Sequence, residues 1–256
     1  MINNLAQIDK TAQIADNVEI GPWSIIGPGV VIEEGTRIGP HVIIHSHTRI
    51  GKNNQIFPFA CLGDAPQDKS YQGENTALEI GDNNIIREYV TISRGTVKGG
   101  GLTKIGNENF IMAYVHIGHD CTVGNEVILT NYSALSGHVT LEDFVTISGF
   151  AAVHQFCVVG KYSFITKATY VTKDVLPYLI VSGYSPTTVG INTVGLKRRG
   201  FDSHSVDTLR KAYKVIFRRG NTVQEALAEL DEMVPDCEAI RPLIDSLHQS
   251  TRGIVR

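Results

Sequence analysis

Four histidines fall within a short stretch of the chain: His116, His119, His138 and His154. They sit in Tyr114-Val-His116-Ile-Gly-His119-Asp120, in Ser136-Gly137-His138 and in Val153-His154-Gln155-Phe156. The whole chain has 9 His, so this clustering singles the stretch out. An imidazole beside a carboxylate can act as a general base, with the carboxylate holding its tautomer. A backbone N–H such as that of Gly137 can stabilise an oxyanion. A carboxamide such as that of Gln155 can orient an acceptor. Together these groups suit acyl transfer. The same imidazoles suit a catalytic zinc, since His116 and His119 are close enough to share an ion. Surface histidines without chemistry are the third option. Cys121 beside His119 is a candidate nucleophile, although its position in the repeat described below argues for burial. There is no G-x-S-x-G elbow. Gly99-Gly100-Gly101 lacks the frame of a phosphate-binding P-loop.

The spacing says what must position these residues. An aliphatic residue stands at every sixth position from Ile8 to Leu62, at Ile80, Ile86 and Ile92, and again from Ile105 to Val171. Neither a helix nor a flat strand has this period. Hexapeptide periodicity belongs to parallel β-helices, in which each hexapeptide is a short strand plus a turn. The aliphatic residue points inward, and small or β-branched residues four positions later fit beside a corner. Glycine one position after the aliphatic residue (Gly21, Gly39, Gly81, Gly106, Gly124) is expected to supply turn dihedrals. With three hexapeptides per coil, residues 18 apart stack. His119, Gly137 and Gln155 then form one column, and Asp120, His138 and Phe156 the next.

Residues 63–79 and 97–104 interrupt the frame and read as surface loops, where binding groups tend to sit. Residues 176–191 read as an irregular connection. From Asn192 on the pattern is helical, with a capping box at Thr222–Glu225. The expected architecture is mainly β: residues 1–191 form a parallel β-helix, and residues 192–256 a small α-helical domain that caps it.

Composition limits the function classes. The net charge of −3 gives no reason to expect nucleic-acid binding. Residues 197–219, however, concentrate basic side chains (Lys197, Arg198, Arg199, Arg210, Lys211, Lys214, Arg218, Arg219), which suits either a solvated helix face or an acidic partner. The four Cys make no C-x-x-C, and three of them are expected as buried thiols in the repeat. No signal peptide or membrane span is read, so a cytoplasmic protein is expected.

The motifs HIGHDCTVGN (116–125), SGHV (136–139), AVHQFCVVG (152–160), PQDKSYQGE (66–74), TISRGTVKGGGLTKIG (91–106), GLKRRGF (195–201) and STRGIVR (250–256) resemble one family over nearly the whole chain. It is the family of UDP-N-acetylglucosamine acyltransferases of lipid A biosynthesis. The resemblance implies a left-handed β-helix and a cytoplasmic homotrimer with sites between subunits. It implies transfer of a 3-hydroxyacyl group from acyl carrier protein to the sugar, with no cofactor beyond the carrier's phosphopantetheine. His119 matches the general base, Asp120 its orienting partner and Gly137 the oxyanion donor. His116, His138, His154 and Gln155 match groove residues, and Asp68 and Lys69 fall at the loop's substrate contacts. Asn192, Arg198 and Arg199 match nucleotide and phosphate contacts, and the basic helical face matches the carrier's docking surface.

Some positions depart from the pattern. The family's Lys two residues after the loop Asp is Ser70 here, with Lys69 before it. Lys167 stands where members using long acyl chains can have Gly, so it bears on the acyl-chain end. Val194 and Ser185 replace a Glu and a His of some members. Some members take a 3-amino sugar. The related N-acyltransferase of the pathway has a uridine-binding domain ahead of its β-helix, whereas here the repeat begins by Ile8. Outside this pathway, the same repeat would also suit a gamma-class carbonic-anhydrase-like zinc enzyme or a non-catalytic scaffold.

Overall fold

In the computed structural model, which describes residues 1–256, most hexapeptides form a two-residue strand and a turn. Each strand of the repeat pairs in parallel with one a coil away, as Ile8 does with Ile26 and Ile117 with Leu135. Stacked triangular coils build a left-handed parallel β-helix. Face I carries nine strands, from Gln7–Ile8 to Tyr170–Val171. Face II carries eight, from Gln13–Ile14 to Val158–Val159, and face III carries ten, from Glu19–Ile20 to Thr187–Ile191.

Parallel pairing keeps equivalent residues in line, so the interior is built of repeating columns. Ile44, Ile50, Ile111, Leu129 and Val153 are fully buried. Val30, Val42 and Val139, four positions after an aliphatic residue, are buried too. Each such side chain contributes roughly 1.5–3 kcal/mol of burial. Ser24 is buried at the same phase, and its hydroxyl donates to the Gly39 carbonyl at 2.8 Å.

The turns correct one expectation. The left-handed dihedral lies three residues after the aliphatic position and is held mostly by large residues: Trp23 (φ 58°), Tyr132 (φ 61°), His138 (φ 62°) and Phe156 (φ 64°). The glycines one position after the aliphatic residue serve close approach instead. A Cβ on Gly21, Gly81 or Gly106 would lie 2.6, 2.7 or 2.5 Å from backbone atoms of the next coil.

Both interruptions leave the corner between faces I and II, which is the corner of Asp120 and His138. They are not wholly loop. Ala77–Ile80 and Leu102–Ile105 are strands that rejoin face II, and Val97–Gly99 is a 3-10 turn. Residues 176–191 are not irregular either. Leu179–Ser182 extends face III in parallel, the chain reverses at Gly183 (φ 103°), and Thr187–Ile191 returns antiparallel. This strand is off the six-residue frame, so periodicity misses it.

Four helices follow: α1 (Thr193–Arg198), α2 (Ser203–Phe217), α3 (Val223–Met233) and α4 (Arg241–Gln249). The capping box of α3 is present. Leu209, Ile216 and Leu243 meet Tyr178, Leu179 and Ile191, covering the end of the coil. Cys121, Cys157 and Cys237 are buried, but Cys61 is half-exposed. Cys61 precedes the inward Leu62 by one residue and so points out of face I.

Two glycine variants separate the two backbone roles. Gly124→Ala places a Cβ 2.8 Å from the Asp143 nitrogen, whereas Gly29 (φ 66°) has open space around it. We expect Gly124→Ala to lose about 1–3 kcal/mol by overpacking and Gly29→Ala about 1 kcal/mol by dihedral strain. Urea unfolding of both variants measures this, and a neutral Gly124→Ala would contradict the close-approach role.

Candidate active site

Coil stacking brings the histidine stretch together at the corner between faces I and II. The His138 N–H donates to the His119 carbonyl at 2.9 Å, and the Phe156 N–H to the Gly137 carbonyl at 3.3 Å, so the two columns lie side by side. The His119 Nδ1 is 2.7 Å from Asp120 Oδ2. That bond leaves Nε2 with its lone pair free when Nδ1 carries the proton. The His138 ring meets His119 edge-on, at 5.1 Å between centroids, and stacks on Phe156 at 4.4 Å.

Asp120 is buried, with its side chain 1% exposed. Its carboxylate accepts the Thr96 N–H and the Thr96 hydroxyl, each at 2.7 Å, and its own N–H donates to Thr103 Oγ1 at 2.8 Å. A Cβ on Gly99 would overlap the carboxylate. Neither the repeat nor the spacing singles out Thr96, Gly99 or Thr103. The signal available in the sequence is the run of three glycines, which marks backbone that closes over a side chain.

Close approach of His119 requires Gly137 to be glycine. A Cβ there would lie 2.6 Å from Cε1 and 2.7 Å from Nε2 of His119, so the imidazole rests on the Gly137 backbone. Its N–H donates to no protein acceptor. At the same phase Pro22, Pro28, Pro40 and Pro58 have no N–H at all, whereas Lys52, Asp82, Asn107 and Asn125 donate theirs to a side chain of the next coil.

The other face I residues line the approach. His116 Nδ1 lies 2.8 Å from the Thr91 hydroxyl, and His154 Nδ1 lies 3.2 Å from the Gln155 carbonyl. Gln155 is exposed in the predicted column. Burial, then the charge of His119, pushes the His116 pKa below the usual imidazole value. Burial also lowers that of His138, against the pull of Asp120. Burial pushes the Cys121 thiol up to about 12, which removes it as a nucleophile at neutral pH.

The first insertion reaches this cluster. Asp68 accepts the Ser70 N–H at 2.8 Å and the Ser70 hydroxyl at 2.9 Å, and these bonds lower its pKa, helped by the charges of His119 and Lys98. Lys98, on the second insertion, donates to Ser70 Oγ at 3.3 Å. Lys69 is exposed and makes no ion pair. The cation beside Asp68 is therefore Lys98, which no sequence spacing reveals.

Asn192, Arg198 and Arg199 lie elsewhere on the chain. They line a cavity of about 480 Å³ on face III, together with Phe144, Tyr162 and Val194. Asn192 caps α1 through Gly195 and donates to the Tyr162 carbonyl at 2.9 Å. Arg199 pairs with Glu126 and lies 4.6 Å above the Phe144 ring. Arg198 is exposed and unpaired. Of the basic face, Arg210 and Arg219 are paired with Asp207 and Glu229, whereas Lys197, Lys211 and Lys214 are free. Lys167 is exposed at the corner between faces III and I.

The rival three-histidine zinc set does not converge within the chain. The ligand atoms that converge belong to His119, Asp120 and His138, with His116 outside the group.

Comparison with known proteins settles the family of the chain. Residues 174–255 match the family described as "Udp N-acetylglucosamine O-acyltransferase; Domain 2", and residues 2–34 and 102–137 match bacterial transferase hexapeptide repeats. The acyl-[acyl-carrier-protein]--UDP-N-acetylglucosamine O-acyltransferase of Saccharophagus degradans is 51% identical over 100% of this chain and 99% of its own length. The chain belongs to the UDP-N-acetylglucosamine O-acyltransferase family. The Moraxella catarrhalis UDP-N-acetylglucosamine O-acyltransferase structure superposes with a TM-score of 0.98 at 44% identity, covering 100% of this chain and 99% of that one. The Francisella novicida UDP-N-acetylglucosamine acyltransferase gives 0.98 at 46% identity, covering 100% and 94%.

The lowered pKa values of His116 and His138 carry a pH signature. Their folded values lie below the unfolded value of about 6.5, so the fold favours the neutral ring. That stability is fully present above the unfolded value and is lost as pH falls toward the folded ones. Urea midpoints should fall on acidification from about pH 7.5 to 5.5, and His116→Asn should flatten the slope. An unchanged slope would count against this.

Proposed function

We propose that this chain transfers a 3-hydroxyacyl group from acyl carrier protein to the 3-hydroxyl of UDP-N-acetylglucosamine, the first step of lipid A biosynthesis, with His119 as general base. The observation that carries the reading is the His119 Nδ1–Asp120 contact of 2.7 Å, with Gly137 directly under Nε2. His119 Nε2 removes the sugar hydroxyl proton as its oxygen attacks the thioester carbonyl. The carbonyl oxygen becomes an oxyanion and accepts the Gly137 N–H. Collapse breaks the C–S bond, and the imidazolium returns the proton to the departing thiolate. Asp120 stays ionised and stabilises the imidazolium. His116, His138, His154 and Gln155 line the sugar and acyl groove, and Asp68 meets the sugar. Lys98 supplies the positive charge beside Asp68. No cofactor is needed beyond the carrier's phosphopantetheine, and we place the reaction in the cytoplasm. No helix is long and apolar enough to cross a membrane.

A homotrimer completes the site in this reading. Residues Trp23, His41, Phe59, Tyr89, Tyr114, Tyr132 and Phe150 stack along the corner between faces III and I, with centroids 4.8–5.0 Å apart. All but His41 are large exposed hydrophobics. Outward residues are apolar on much of face I (Ile25, Ile43, Ala134, Tyr170) and face III (Ile85, Phe110, Ile128, Phe164). On face II they include Arg49, Glu79 and Lys104. A threefold that packs face I of one copy on face III of the next puts the aromatic corner at the axis. It also sets the His119 corner of one copy beside Arg198 and Arg199 of its neighbour. Arg198 then holds phosphate. The free Lys197, Lys211 and Lys214 dock the acidic carrier from the helical domain, residues 192–256.

His119→Ala should lower transfer about 10²–10⁴-fold without dissolving the trimer, and near-normal turnover would sink the mechanism. Refolding a mixture of His119→Ala and Arg198→Ala chains should restore activity, because some interfaces then hold both native residues. A mixture as inactive as its parts would place the site within one chain. Assaying carriers of graded acyl length against 3-hydroxy and 3-amino UDP-sugars fixes both specificities. Lys167→Gly should shift the preference to longer chains if Lys167 bounds the groove.

A further inference from the structure

We infer that His45, Cys61 and Asp64 form a binding site for a thiophilic divalent cation such as Zn²⁺, at the root of the first insertion. His45 Nε2 lies 3.5 Å from Cys61 Sγ and 3.8 Å from Asp64 Oδ1, and all three donor atoms fall within 4.8 Å of one another. A tetrahedral zinc with a thiolate at about 2.3 Å and an imidazole at about 2.0 Å needs those two atoms about 3.5 Å apart. The imidazole–thiol pair already has that spacing. The carboxylate is exposed, and rotation brings Oδ1, 3.8 Å from His45 Nε2, into coordination range.

The backbone is shaped to make this meeting. Cys61 and Leu62 pair in register with Thr91 and Ile92, but Asp64 pairs with Ser93, so residue 63 is an extra residue in the strand. Such a bulge re-aims the side chain that follows it, here swinging Asp64 over His45 and Cys61. Gly63 takes φ 76°, and a Cβ on it would strike the Thr48 hydroxyl, so only glycine makes this bend. Asp64 Oδ1 is steadied by the Ala65 N–H at 2.7 Å. His45 is held on the neighbouring strand, its N–H donating to the Leu62 carbonyl at 2.8 Å.

The repeat itself does not call for these residue types. His45 stands where the repeat more often places glycine (Gly27, Gly63, Gly118), and Cys61 where it places Ile25, Ile43 or Ala134. Three soft or anionic donors on one outward patch, with one coordination position left open, fit a divalent ion and not an anion. The ion would tie the coil of His45 to the start of the segment that carries Asp68. Burial, and next the Asp64 charge, raises the Cys61 pKa, so the thiol is protonated when free. Binding therefore replaces the S–H bond by a sulfur–metal bond and releases one proton to solvent.

The test uses the full chain, stripped with a chelator and kept reduced. Titration with Co²⁺ should raise a near-ultraviolet thiolate-to-cobalt absorption saturating at one ion per chain, and Zn²⁺ should displace it. Cys61→Ser should abolish that absorption, and His45→Asn and Asp64→Asn should weaken binding about tenfold or more. Zn²⁺ should raise the thermal midpoint of the parent and not of Cys61→Ser. The His119–Asp120–His138 group contains no thiol, so an ion there gives no such absorption. Absence of the absorption in the parent, or its survival in a folded Cys61→Ser chain, overturns the assignment.

Discussion

Much of the site follows from one buried carboxylate. An ionised group with 1% exposure must find partners, because leaving it unpaired costs several kcal/mol. Asp120 finds them on both sides. Thr96, at the entry to the second insertion, supplies its N–H and hydroxyl, and the same coil corner supplies the His119 Nδ1. Gly99 lets the backbone approach the carboxylate, and Thr103 holds the Asp120 N–H. The insertion thus excludes water from Asp120 and fixes the imidazole at once. It also carries Lys98 to the first insertion, where it meets Ser70 and through it Asp68. Both insertions leave the same corner, and this shared anchor is a physical reason for that placement.

The coil supplies the remaining order. A strand-to-strand hydrogen bond fixes each rung's height and direction, so a spacing of 18 residues in sequence becomes a column in space. Such a column is rigid, and the corners of the candidate site take the same left-handed dihedral as most other corners. His138 and Phe156 adopt the left-handed dihedral that Trp23 and Tyr132 adopt at the structural corners. The Gly137 N–H has no protein acceptor, and four prolines at the same phase show that the coil forms without an N–H there. The coil therefore leaves this N–H available to a ligand at the His119 corner.

The regular coil is also what makes the chain legible from its sequence. The interior, the three faces and the pairing of His119 with Gly137 all follow from counting by six and eighteen. Positions that depend on the insertions do not, since no period links Lys98 to Ser70 or Thr96 to Asp120. The hairpin at 179–191 escapes because it leaves the frame. Glycine misleads because one residue type answers two constraints, a dihedral and a close approach, and sequence alone does not say which applies. Asn192 is a third kind of case. Its motif position points to a ligand, yet its amide is occupied by Gly195 and Tyr162, while Arg198 beside it is free. Between neighbours in one motif, only the hydrogen bonds distinguish a cap from a contact.

The chemistry around His119 also bears on the order of events. A covalent acyl-enzyme would need an activated nucleophile, and none is at hand. Burial holds the Cys121 thiol at about 12 and the Cys157 thiol at about 11, leaving a thiolate fraction of only ~10⁻⁵ to 10⁻⁴ at neutral pH. The Cys121 thiol is also turned toward the Ser136 carbonyl at 3.1 Å, away from the groove. The Thr96 hydroxyl is committed to Asp120. This agrees with the proposed mechanism, in which the acceptor hydroxyl attacks the thioester directly with both substrates bound together. That requirement demands a groove long enough for a sugar nucleotide and an acyl chain at once. One chain presents the base at one corner and the unpaired Arg198 near another, so a groove of that reach is more easily made between two copies than within one.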